Sequence, residues 1–283
     1  MLVRACRPRQ WVKNLLVVLA PAAAGALARP GVVAVVIAAL VAFCLLSSAA
    51  YLVNDVRDRE QDRRHPRKSR RPIAAGELPP RRALRVAAIL AVVGLAISLA
   101  VRPSLAAAAA CYLALTTSYS LWWRQIAVLD IVAVTGGFLL RAVAGGAAAD
   151  VPLSRAFLVV STACALFVVA GKRYAELVTA ERAGTRARPT LRRYSARSLR
   201  RLMAAAGALG CIAYAQWSFA RPYGWPWLAL SLLPFALWLA RYSMLVDAGS
   251  GEAPEDLILH DRTLLALGAV WLALFAGGIY VAG

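Results

Sequence analysis

Three aspartates, Asp55, Asp58 and Asp62, stand three and four residues apart directly after a long apolar run. On a helix they fall at about 0°, 300° and 340° around the axis and so share one face. Like charges at that spacing repel, by about a few tenths of a kcal/mol per pair, and such a cluster calls for a cation. Carboxylate oxygens suit Mg²⁺, which takes one or two of them, keeps several waters and shares its remaining positions with substrate phosphates. The pattern therefore predicts a metal and pyrophosphate site, with Asp55, Asp58 and Asp62 as ligands and Asn54 next to them. The plainer alternative is a solvated helix end, in which Arg57, Arg59, Arg63 and Arg64 neutralise the acids.

Other polar residues fall where chemistry needs them. Lys13 and Asn14 lie at the start of an apolar stretch, where a polar pair requires a partner or a water-filled cavity. Six basic residues crowd the loop from Arg63 to Arg71, Lys68 among them; they suit lipid headgroups or clamped phosphates equally. Asp130 and Arg141 sit within one apolar segment, about 16 Å apart along a helix, so each must find a different partner. Further on, Lys172, Arg173, Tyr174 and Glu176 follow another apolar run, with Lys172 and Glu176 on one helix face. That group is the natural second half of a phosphate site, although a helix-end ion pair would look the same.

These residues need elements to hold them, and the composition says which. The chain is 61% apolar and only 17% charged, which excludes an ordinary soluble domain and predicts an all-α, polytopic membrane protein. Nine segments approach the length that crosses a core of roughly 30 Å: 11–28, 32–53, 83–101, 104–123, 126–149, 156–171, 202–220, 225–240 and 263–282. Together they predict a single integral-membrane domain over residues 1–283. The second span runs into Asn54 without a turn signal, so its helix should continue and hold the aspartates on a rigid element. Gly136, Gly137, Gly145 and Gly146 predict close helix approach along the fifth.

The net charge of +19 would suggest nucleic acid on a soluble surface, but its placement argues otherwise. If the spans alternate, 28 of the 33 Lys and Arg lie on one side, and Arg29, Arg102, Arg155 and Arg221 on the other. By the positive-inside rule the first side is cytoplasmic, with the amino terminus inside and the carboxyl terminus outside. Twelve of the fourteen acids share that side, so the polar chemistry is cytoplasmic at a cell membrane. The five cysteines have no metal-ligand spacing and read as small buried residues. The segment from Pro254 to Arg262 reads as an acidic surface turn with a helix cap.

An apolar helix ending in Asn54-Asp55-Val56-Arg57-Asp58 through Asp62, followed by Arg71-Pro72-Ile73 and Gly76, resembles the UbiA superfamily of intramembrane prenyltransferases. The stretches 7–14, 128–130, 140–145 and 172–176 resemble its decaprenyl-phosphate phosphoribosyltransferase branch. Aromatic prenyltransferases of the superfamily carry a second Asp-rich cluster where this chain has Lys172, Arg173 and Glu176. The resemblance implies a UbiA-like nine-helix fold, Mg²⁺ as cofactor, phosphoribosyl pyrophosphate as donor and a polyprenyl phosphate as acceptor, for a cell-wall arabinan precursor. It implies substrate-binding roles for Lys13, Asn14, Asn54, Lys68, Asp130, Arg141, Lys172, Arg173, Tyr174 and Glu176. An aromatic acceptor is the alternative within the superfamily, and a transporter lined by Asp130 and Arg141 the alternative outside it. A homo-oligomer stays open.

Overall fold

The computed structural model describes residues 1–65, 68–184, 190–251 and 253–281. Pro66 and Arg67 of the first basic loop, Arg186 and Arg188 of the second, and the end of the ninth expected span at Ala282 lie outside the described residues. The described residues form helices and turns without a strand, as the composition requires.

Among the described residues, eight helices are long and apolar enough to cross a membrane. They are α1 (Val32–Arg57), α2 (Pro80–Val101), α3 (Pro103–Leu121), α4 (Leu129–Ala149), α5 (Arg155–Arg182), α6 (Ala196–Phe219), α7 (Trp225–Asp247) and α8 (Arg262–Ala276), the last prolonged by a π turn, Gly277–Val281. Their starts follow local rules. Proline opens α2 and α3, where a missing N–H costs nothing. Side-chain oxygens of Ser154, Ser195 and Asp261 cap α5, α6 and α8. Pro254–His260 is a short helix rather than a turn, and the cap expected there is Asp261.

The first expected span, 11–28, is not one α-helix. It runs as a 3-10 segment, Pro8–Val18, an α turn, Leu19–Ala23, and a second 3-10 turn, Ala26–Ala28. Pro21 has no N–H to donate to the Val17 carbonyl, so the α ladder cannot run through it.

By its internal contacts the chain divides into two compact units. The first holds Met1–Ala22, Ala26–Trp123 and Leu140–Pro152; the second holds Ala23–Gly25, Arg124–Leu139 and Leu153–Gly283. In the first, Phe43, Leu46, Leu105, Tyr112 and Ala144 form a buried cluster, with Phe43 and Tyr112 in ring contact. In the second, Phe167, Met203, Leu239 and Tyr242 do the same. Each unit has one long helix that ends in the charged residues singled out above. α1 has 26 residues and α5 has 28, about 39 and 42 Å at the α-helical rise, both longer than a hydrocarbon core of roughly 30 Å. About twenty residues suffice to cross, which brings α1 to the neighbourhood of Tyr51 and α5 to that of Tyr174. The polar chemistry thus sits on the last turns of helices whose apolar stretch is already spent.

Candidate active site

α1 ends at Arg57, and Asp58 adopts φ −85°, ψ 2° before a second short helix, Arg59–Arg63. The expected continuous helix is therefore broken at the middle aspartate. Asp55 and Asp62 nevertheless converge, 3% and 2% exposed. A single nitrogen, Arg71 Nη1, lies 3.2 Å from Asp55 Oδ1 and 2.6 Å from Asp62 Oδ2. Arg7 Nη2 also donates to Asp55 Oδ1, and the Arg7 guanidinium lies over the Tyr51 ring at 5.0 Å. Asp58 instead takes the amide of Asn54, at 3.3 Å.

The arginines next to the aspartates in sequence do not neutralise this pair. Arg57 donates to the Ser120 carbonyl, while Arg59 and Arg63 pair with Glu60 at 2.8 and 3.2 Å. The Arg59 hydrogen bond, with Arg63's charge, holds the Glu60 carboxyl below the usual carboxylate range. The solvated-helix-end reading thus fits Glu60 and fails for Asp55 and Asp62. Arg7 and Arg71, which the sequence marks only as members of a motif and a basic loop, are the cations that pair with Asp55 and Asp62. Arg7 also has a left-handed backbone, φ 54°, a conformation that costs energy in a non-glycine residue and collects at working sites.

Among the described residues, no group of three or more His, Cys, Asp or Glu is arranged to hold a metal ion. Asp55 and Asp62 converge on one cation, while Asp58, at the bend, takes the Asn54 amide. The pair still fits a hard divalent cation. Two buried carboxylate oxygens already enclose one positive charge, the guanidinium of Arg71, which stands in for it.

Asn14 and Arg141 meet inside the first unit. Arg141 Nε donates to Asn14 Oδ1 at 2.8 Å, and Nη2 to the Tyr112 hydroxyl at 2.7 Å. The guanidinium also lies over the Tyr112 ring at 4.6 Å. Asn14 Nδ2 passes the network on to Ser47 Oγ at 3.1 Å. Arg141 is 6% exposed and Asn14 fully buried, so this is an intramembrane cation held by neutral hydrogen-bond acceptors and an aromatic face.

A glycine one turn further along α4 permits the approach. A Cβ on Gly145 would stand 1.8 Å from the Val17 carbonyl oxygen, the same carbonyl that Pro21 leaves without its α-helical donor. Of the four glycines expected to permit close packing, Gly145 does so in this way. Gly145→Ala is expected to push α4 off the 3-10 segment and destabilise the protein by about 1–3 kcal/mol. Thermal unfolding in detergent reads this as a lowered midpoint, and an unchanged midpoint would refute the contact.

In the second unit Asp130 and Arg173 form a buried ion pair, 1% and 4% exposed. Arg173 Nη2 donates to Asp130 Oδ1 at 2.9 Å, Nε lies 2.6 Å from Oδ2, and Nη1 donates to Glu176 Oε2 at 2.8 Å. Asp130 and Arg141 thus do find separate partners, as their spacing required. Asp130 opens α4 right after Val128, whose φ of 70° is a strained value for a β-branched residue. Tyr194 holds that turn through its hydroxyl, which takes the Val128 N–H.

The remaining candidates are dispersed. Lys13 donates to Gln10. Lys68 is exposed on the 3-10 turn Lys68–Arg70. Lys172 is half-buried, and Tyr174 packs against the apolar side chains of α5 and α6.

Long apolar helices carrying buried acid–arginine networks near their polar ends define an integral-membrane protein. The chain belongs to the UbiA prenyltransferase family, whose model matches residues 16–261, and it is an enzyme of that type. It is 42% identical to the decaprenyl-phosphate phosphoribosyltransferase of Mycolicibacterium smegmatis, over 99% of this chain and 92% of that one. To the enzyme of the same name from Mycobacterium tuberculosis it is 44% identical, over 98% and 93%. Among solved structures, a UbiA homolog from Archaeoglobus fulgidus bound to DMAPP and Mg²⁺ superposes with a TM-score of 0.74 at 17% identity, covering 99% of this chain and 98% of that one. That likeness carries the fold. The all-α, UbiA-like architecture and the family read from Asn54–Asp62 are borne out.

Proposed function

We propose that this protein transfers the 5-phosphoribosyl group of phosphoribosyl pyrophosphate to a polyprenyl phosphate, decaprenyl phosphate by the name of its relatives, and releases pyrophosphate. The observation that carries this reading is the 42–44% identity, spread over essentially the whole chain, to enzymes of that name. The product, a polyprenyl-phosphoryl ribose 5-phosphate, would serve cell-wall arabinan synthesis.

The reaction breaks the bond from the anomeric carbon to pyrophosphate and forms one from that carbon to an oxygen of the lipid phosphate. The lipid phosphate is already anionic at neutral pH, so no group need remove a proton from it. The carbon becomes cationic as pyrophosphate leaves. Asp55 and Asp62, with Asp58 beside them, would hold Mg²⁺, which supplies charge neutralisation for the departing pyrophosphate. Arg7 and Arg71 orient those carboxylates. Lys13 and Lys68, on the same unit as the aspartates, would serve as phosphate ligands, acting as point charges. Asn54 steadies Asp58, while Asn14 and Arg141 supply a fixed polar group within the membrane. Arg173, committed to Asp130 and Glu176, holds the end of α5 rather than offering its fork to a phosphate, and Tyr174 packs beside it.

The active site is cytoplasmic in this reading, with the amino terminus inside the cell membrane and the carboxyl terminus outside, following the charge asymmetry. Labelled phosphoribosyl pyrophosphate incubated with the protein and polyprenyl phosphate in vesicles should give lipid-soluble label that disappears on chelation of divalent metal. Label that stays aqueous would overturn the proposal. Prenylation of an aromatic acceptor, or flux without a covalent product, would overturn it in favour of the two alternatives. Single displacement inverts the anomeric carbon, and a product of retained configuration would exclude it.

A further inference from the structure

The cation between Asp55 and Asp62 belongs to the protein itself. Arg71 Nη1 touches both carboxylates, and a divalent ion bound by the same two oxygens would have to take the volume that this nitrogen fills. The two cations repel at such distances, so they do not occupy the pair together. Arg71 is built to leave. Its backbone is tied down, with its N–H on the Lys68 carbonyl at 2.9 Å and its own carbonyl taking the Ala75 N–H at 2.8 Å. The next residues are buried, Ile73 at 1% exposure. The side chain, by contrast, is 24% exposed and long enough to rotate away while its anchor stays. Arg7 is different: its contact is to Asp55 alone among the two aspartates and is backed by Tyr51, so it can remain when Arg71 departs.

We propose that Arg71 is a positioning residue that holds the metal's place, and that metal entry releases its guanidinium to capture a phosphate of the donor. With no donor present, Arg71 keeps Asp55 and Asp62 converged on its own charge, and metal must compete with it. Once displaced, Arg71 offers a planar fork to phosphate oxygens, so metal and donor phosphate favour each other's binding. Linkage makes this reciprocal. The inference rests on the proposed role of Asp55 and Asp62 as metal ligands and adds to it the order in which charges are exchanged.

The test uses the full chain in detergent without donor, with Mn²⁺ alone as the probe, read by electron paramagnetic resonance. Arg71→Gln should bind Mn²⁺ more tightly than the wild type by roughly 5-fold or more, the lower end of ordinary coupling between sites. Arg71→Lys, which keeps the charge, should bind it less tightly than Arg71→Gln. In the wild type, Mn²⁺ should raise the reaction of Arg71 with phenylglyoxal, followed by peptide mass spectrometry, and this readout survives even if a variant fails to fold. Unchanged or weaker Mn²⁺ binding by Arg71→Gln, or Arg71 reactivity indifferent to metal, would overturn the proposal. Asp62→Asn separates the two layers. If it binds Mn²⁺ as the wild type does, the metal role of the aspartates fails; if it loses Mn²⁺ while Arg71→Gln gains nothing, only the exchange fails.

Discussion

Asp55→Asn is expected to lower phosphoribosyl transfer by about 10²–10³-fold, the range measured when one preorganised group that stabilises transition-state charge is removed. The substitution keeps the size of the side chain and removes its charge, so the effect isolates electrostatics. Asp55 is the acceptor shared by Arg7 and Arg71, and its loss leaves both guanidinium groups short of an anion and a metal with one buried carboxylate. Stability should suffer less than activity, because Arg7 and Arg71 are each 24% exposed and can turn to water. Asp58→Asn should cost less, about 10–100-fold, as expected for a group that orients ligands from the next layer. Product formation from labelled donor and thermal unfolding, measured on the same preparations, check the pair. An Asp55→Asn protein with more than a tenth of wild-type activity would remove Asp55 from the site, and equal losses at the two positions would restore Asp58 as an equivalent ligand.

The family was legible because Asn54–Asp62 carries its spacing locally, and the helices were legible because hydropathy runs measure lipid-facing length. The same measure misplaced ends. The sixth expected span stopped at Gly171, where charge begins, yet α5 continues to Arg182, since Lys, Arg, Glu and Ala are strong helix formers whether or not lipid surrounds them. The broken first span had a visible cause in Pro21. The partners of the buried charges were not legible, for they depend on tertiary contacts. Arg7 meets Asp55 across 48 positions, Arg173 meets Asp130 across 43 and Arg141 meets Asn14 across 127. A chain with 33 Lys and Arg gave no means of pairing two of them with these acids from composition and spacing. One local signal did mark Arg71: it precedes Pro72-Ile73, an apolar pair inside a basic loop, and apolar residues in such a place become buried and anchor what adjoins them. Asp58 shows the opposite failure, a residue with correct spacing on paper whose backbone leaves the helix at that point.

Asp130→Asn should be the most destabilising polar substitution in the second unit, by about 3–5 kcal/mol, the cost of leaving one partner of a buried pair without the other. Arg173 is 4% exposed and cannot resolvate as Arg7 and Arg71 can. Glu176, at 22% side-chain exposure, sits nearer to water and holds Arg173 Nη1, so it compensates in part. Arg173→Lys should also fail to substitute, since an ammonium cannot span both Asp130 oxygens and Glu176 as the planar fork does. Removing both charges should reverse most of the loss: Asp130→Leu with Arg173→Met replaces the pair by apolar groups, which are often as stable as a buried ion pair. The double variant should therefore unfold close to the wild type while each single variant unfolds early, a non-additivity that a cycle of thermal unfolding measurements in detergent reads directly. Asp130→Asn within about 0.5 kcal/mol of the wild type, an effect ordinary for a surface position, would mean that the pair is not a lock. The double variant also separates structure from chemistry. If it folds and still transfers phosphoribose, the pair serves only to tie α4 to α5; if it folds and is inactive, the end of α5 needs the charge of Arg173 as well as its position.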